Sequence, residues 1–123
     1  MLSVLIAAAV AAAPQPNCKN PQTQTDMNIC SGRAFKAADT VMTRQYDIAV
    51  GRMKQMDKGG EPTGYFAALL ESQRAWLKFR DAQCRLEGYT TRGGTAEALN
   101  VNGCLEQLTR QRTKDLKSFL EAF

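Results

Sequence analysis

The sequence contains no histidine among its 123 residues. The commonest general base, the commonest nitrogen ligand for metals and the side chain that titrates nearest neutrality are therefore absent, which excludes His-centred hydrolase and zinc chemistry. Aromatic residues are scarce at 7%, with a single Trp. No Cys-x-x-Cys pair, glycine-rich phosphate loop or metal-ligand spacing occurs, so redox dithiols, zinc ribbons and nucleotide cradles are not expected, and neither is any cofactor. Strand-like alternation is also missing. The longest apolar run, residues 2–13, is too short to span a bilayer.

That run is uncharged and rich in alanine, as in a secretory signal peptide, although only Met1 stands where a basic segment would precede it. Residues 1–13 are expected to be a leader cut within residues 11–13, because Pro14 and Pro16 stop the run from continuing as a core helix. Residues 14–24 then form an N-terminal segment and residues 25–123 one helical domain, in the periplasm or outside the cell. Lys and Arg number 16 against 12 Asp and Glu, for a formal charge of +4. These charges are interspersed along the chain, so no basic stripe marks a nucleic-acid surface.

Apolar residues Phe35, Ala38, Met42, Tyr46, Ala49 and Met53 recur at steps of three and four, which predicts a helix over residues 25–58. Thr25 or Asp26 would cap it, and Gly59-Gly60-Glu61-Pro62 would end it. A second helix over residues 64–87 turns Phe66, Leu69, Gln73, Trp76, Arg80 and Cys84 inward. After a polar loop, residues 88–95, a third helix over residues 96–122 carries an inward stripe of Val101, Cys104, Leu105, Leu108, Arg112, Leu116, Phe119 and Phe123. The expected fold class is all-α: a small antiparallel three-helix domain.

Four cysteines in a small exported domain imply two disulfides, and arithmetic alone leaves three connectivities. Short links bring the start of the first helix, the end of the second and the start of the third to one end, and all four cysteines lie there. Cys84 and Cys104 flank one helix-loop-helix turn, while Cys18 is near Cys30 in sequence. Proximity favours Cys18–Cys30 and Cys84–Cys104.

Gln73, Arg80 and Arg112 interrupt apolar stripes, and a buried guanidinium needs a charge partner and several acceptors. Folding the first two helices about residue 61 brings Asp39 within one turn of Arg80 and sets Tyr46 level with Trp76. Folding the second pair about residue 92 sets Arg112 opposite Gln73 and near Trp76. Asp81 lies about 100° round the helix from Arg80 and is expected to face the third helix or solvent. Asp39, Arg80 and Asp81 could serve as an acid–base group only if a carboxylate were accessible in a concave pocket. Without an accompanying nucleophile motif, they are read as a network that sets helix register.

The pattern Cys18, Met27-Asn28-x-Cys30, Ala38-Asp39, Tyr46, Gln73-Arg74-x-Trp76-x-x-x-Arg80-Asp81-x-x-Cys84, Gly93-Gly94, Cys104 and Leu108-Thr109-x-x-Arg112 resembles the LprI-like family, exported bacterial proteins named for a lysozyme inhibitor. The resemblance implies an exported helical domain with two disulfides and, from the founding member, inhibition of lysozyme. This chain is expected to differ from the founder type in being a secreted protein rather than a lipoprotein and in consisting of the helical domain alone. The expected partner is a protein, with a lysozyme first, contacted through Tyr89, Thr91, Arg92, Gly93 and Gly94. In that reading Asp39, Tyr46, Gln73, Trp76, Arg80, Asp81 and Arg112 hold the scaffold, and no residue performs chemistry or binds metal. A charge of +4 disfavours a strongly basic target unless the docking surface is locally acidic. The alternative expectation is an envelope module that binds peptidoglycan or an anionic surface polymer through its positive charge.

Overall fold

The computed structural model of the chain describes residues 6–9 and 15–123. Three α-helices follow one another: α1 (Gln24–Lys58), α2 (Tyr65–Gly88) and α3 (Glu97–Glu121). The expected loop over residues 88–95 is partly helical, because Gly88 ends α2 and Tyr89–Thr91 form one 3-10 turn. No strand occurs among the described residues, and the fold is all-α. The expected leader lies mostly outside the described residues.

The first cap differs from expectation. Thr23, not Thr25 or Asp26, is the extended residue before α1, and its Oγ1 accepts the Asp26 amide at 3.0 Å. Asp26 instead occupies the first turn, where a negative charge suits the helix N-terminus. The start of α2 is capped from another helix. Gly64 has no side chain to offer, so the Asp57 carboxylate from the last turn of α1 accepts the amides of Gly64, Tyr65 and Phe66 at 3.0, 2.9 and 3.1 Å. Burial pushes the Asp57 carboxyl upward, but the amides of Phe66, Tyr65 and Gly64 outweigh it and hold the group below its ordinary value of 3.8.

This cap and the Asp39–Arg80 pair make α1 and α2 antiparallel, while Cys84–Cys104 and Gln73–Arg112 do the same for α2 and α3. Helices α1 and α3 consequently run parallel. Asn28 donates to the Thr95 carbonyl at 2.9 Å near their starts, and Arg52 donates to the Phe123 carbonyl at 2.8 Å near their ends.

The apolar core is Met42, Ala49 and Met53 from α1, Leu69 from α2 and Leu116 from α3. Toward the disulfide end the interior turns polar, burying Gln73, Arg80, Thr109 and Thr113. Here α3 departs from the expected stripe. Thr109 is fully buried, whereas Phe119 and Phe123 are 40% and 42% exposed. The buried face of α3 is therefore turned toward its threonines, and the Thr113 hydroxyl is satisfied within the helix by the Thr109 carbonyl at 3.3 Å. Close packing of α2 on α3 depends on Gly88, where an added Cβ would lie 2.5 Å from Val101 Cγ2.

Candidate functional site

Both expected disulfides are present: Cys18–Cys30 and Cys84–Cys104, each with a Cα separation of 5.4 Å. One turn of α2 before Cys84 stands Arg80, on the same helix face as Trp76 and Cys84. Its Nη1 donates to Asp39 Oδ1 at 3.1 Å and reaches Thr109 Oγ1 at 3.4 Å, while its Nε donates to Asp81 Oδ1 at 3.0 Å. The guanidinium carbon sits 5.2 Å from the Phe35 ring centre and 5.3 Å from that of Trp76. Asp39, Arg80 and Thr109 belong to three different helices, so one side chain ties α1, α2 and α3 in register.

The Arg80 side chain is only 10% exposed, but Asp39 and Asp81 keep 43% and 53% of theirs in solvent. The buried cation thus reaches out to two surface carboxylates, which avoids the larger penalty of burying both signs. Asp81 faces solvent, as the helical wheel expects, and also reaches Arg80. Although 100° round the helix, it folds back onto its neighbour because Nε lies near enough to the backbone to meet it. With both carboxylates on one guanidinium, the cluster has the geometry of a clamp across the helices.

One turn further along, Arg112 Nε donates to Gln73 Oε1 and Nη2 to Ser72 Oγ, both at 3.0 Å. Its guanidinium carbon is 5.6 Å from the Trp76 ring centre, and Gln73 Nε2 lies 3.2 Å from Met42 Sδ. Burial lowers the proton affinity of Arg112, partly offset by Asp115 and Tyr46, but a guanidinium stays charged. Tyr46 itself is half-buried against the apolar core. No buried side-chain nitrogen or oxygen among the described residues lacks a partner.

The loop that crosses this end is held from several sides. Asn100 Nδ2 donates to Thr91 Oγ1 at 2.8 Å, the Gly93 amide to Glu97 Oε2 at 2.7 Å, and the Gly94 amide to the Thr91 carbonyl at 2.9 Å. Gly93 has φ +77°, which L side chains rarely adopt, so glycine is required there. Thr91 is half-buried, whereas Gly93 and Gly94 are exposed. Tyr89 is 52% exposed, and Arg92 stacks over its ring at 4.4 Å. The result is an ordered ridge of Tyr89, Arg92, Gly93 and Gly94 at the disulfide end. Asn28, Asn100 and Glu97, which secure the loop, and Phe35 and Thr109, which line the arginine, were not identified as functional from sequence. Asn28 and Thr109 enter the sequence reading only as members of the Met27-Asn28-x-Cys30 and Leu108-Thr109-x-x-Arg112 patterns, and Phe35 only as part of an apolar stripe.

Among the described residues no group of three or more metal-ligating side chains comes together, and no helix is long and apolar enough to cross a membrane. A family model described as lysozyme inhibitor LprI matches residues 17–116. The chain belongs to the LprI family. The matched span includes both disulfides, the Arg80 clamp and the loop. An uncharacterised protein of Rhizobium meliloti (strain 1021) is 40% identical over 129 residues, covering 98% of this chain and 93% of that protein. The uncharacterised protein YecT of Escherichia coli is 32% identical over 74 residues, covering 55% of this chain and 46% of YecT. A crystal structure of a DUF1311 family protein from Pseudomonas putida shares the fold with a TM-score of 0.67 at 23% identity, over 83% of this chain and 95% of that one. The LprI description is that of an inhibitor, not of a catalyst.

Proposed function

We propose that this LprI-family protein is an exported, non-enzymatic domain that inhibits a lysozyme-type muramidase by occluding its cleft with the loop after α2. The observation that supports this most is the ordered loop itself, anchored between Cys84 and Cys104 and presenting Tyr89 and Arg92 to solvent. A loop already held by Asn100 and Glu97 loses little conformational entropy on docking. Aromatic and arginine side chains are also the types that carry most interface energy. A muramidase cleft contains paired carboxylates, which suit the forked donors of Arg92. The net charge of +4 favours a target whose cleft region is acidic.

A turbidity assay of muramidase lysis, run against a panel of lysozyme types with an equimolar excess of this protein, tests the proposal. Tyr89→Ala and Arg92→Ala are each expected to weaken inhibition by about tenfold or more with an unchanged unfolding midpoint. Unchanged lysis across the whole panel would remove the inhibitor reading. Sedimentation with purified peptidoglycan over a salt series separates the polymer-binding alternative, which would fade steeply as salt rises.

A further inference from the structure

At the end of the bundle opposite the disulfides, residues of all three helices line a groove of about 360 Å³. Its floor is the buried core residues Met53, Leu69 and Leu116, so the space opens directly onto the hydrophobic interior. Its lip is aromatic: Tyr65 and Phe119 each pack edge-on against Phe123, with ring centres 6.0 and 5.1 Å apart. At one end the lining changes from apolar to polar at Arg112, Ser72 and Asp115. The volume falls in the range of small-molecule sites, about 300–1,000 Å³, which are mostly apolar with a few convergent polar groups.

The charge at the polar end identifies the class of ligand. Arg80 is matched by two carboxylates, but among the described residues no ion pair within 4.0 Å includes Arg112. Its hydrogen bonds to Gln73 and Ser72 use two N–H groups, leaving both on Nη1 and one on Nη2 uncommitted. Asp115 lines the same groove without pairing to Arg112, and its carboxylate accepts from Gln111 at 2.9 Å. A half-buried cation with spare donors at the mouth of an apolar slot complements an anion that carries an apolar tail.

We propose that this groove binds a medium-chain fatty acid, with its alkyl chain between the aromatic lip and the Met53–Leu69–Leu116 floor and its carboxylate on Arg112. The site is separate from the loop at the other end of the bundle and does not depend on muramidase inhibition. Binding comes from methylene burial plus one charge-assisted contact. Each methylene added while the chain still fits tightens binding by about fourfold, and the carboxylate adds about tenfold or more over an uncharged head group.

The test is calorimetric titration of the full chain with octanoate, decanoate and decanol below their aggregation concentrations. Decanoate should bind more tightly than octanoate and at least about tenfold more tightly than decanol. Arg112→Gln should bring decanoate down to the affinity of decanol while leaving decanol unchanged, and Asp115→Asn should strengthen decanoate by removing a repulsive charge. Ala68→Trp, at an exposed position on the groove wall, should abolish binding of both ligands. Asp115→Asn and Ala68→Trp alter exposed positions, so they keep the test decisive if Arg112→Gln does not fold. Absence of decanoate binding, equal affinity for decanoate and decanol, or binding that survives Ala68→Trp would each overturn the proposal.

Discussion

Removing the Cys84–Cys104 disulfide by Cys84→Ala with Cys104→Ala should destabilise the domain more than the matching removal of Cys18–Cys30. Loop length alone does not separate the two. The bridges span 20 and 12 residues, and the chain-entropy model gives about 3 kcal/mol for each. Burial decides the difference. Cys84 is 0% and Cys104 6% exposed, while Cys18 lies at the surface. Deleting two buried sulfurs removes apolar volume comparable to two methylenes, at about 0.8 kcal/mol each. The inner pair is therefore expected to lose about 4–5 kcal/mol and the outer pair about 3 kcal/mol. Against a typical total of about 5–15 kcal/mol, the inner loss leaves a small domain near its unfolding threshold. Urea melts followed by circular dichroism measure both, with the slope fitted separately for each variant because an uncrosslinked chain exposes more surface on unfolding. Equal losses would refute the burial reasoning, and a loss below about 1 kcal/mol for the inner pair would refute the entropy estimate as well.

Three further outcomes follow from the packing. Gly88→Ala should destabilise by about 1–3 kcal/mol through its collision with Val101, and Val101→Ala in the same chain should recover part of that loss in thermal melts. Asp57 has a depressed carboxyl pKa, so the stability it contributes is fully present above its unfolded value near 3.8 and is lost as pH falls through the lower folded value. Melting temperatures of the parent chain should accordingly drop between pH 4 and lower pH more steeply than those of Asp57→Asn. Arg80→Lys should destabilise by about 1–3 kcal/mol in urea melts, because an ammonium cannot supply separate Nε and Nη1 donors to Asp81 and Asp39; an unchanged midpoint would show that the clamp carries no energy.

The three helices were legible in the sequence because each is long, strongly periodic and bounded by residues that break helices. The disulfide pairing and the Asp39–Arg80 contact were legible for a related reason. Short connections make sequential helices antiparallel, so the level of each residue follows from its distance to the turn. Asp57 was not legible as a cap, since its partners lie seven to nine residues away in another helix and no local capping pattern joins them. The scaffold and loop residues were found as candidates, whereas of the polar side chains that hold the loop only Asn28 belongs to a recognised pattern, and Asn100 and Glu97 give no local signal.

By itself the sequence determined the helix count, the chain direction of successive helices, the location of the cysteines and the need for acceptors around Arg80. Only the tertiary structure decided which face of α3 is buried. Periodicity defines a stripe along a helix but leaves open its rotation against two neighbours at once. In this bundle a buried guanidinium must find oxygen partners, and Thr109 supplies one from the face that sequence reading had passed over. Phe119 and Phe123 are left half-exposed, and both line the apolar groove beside Arg112.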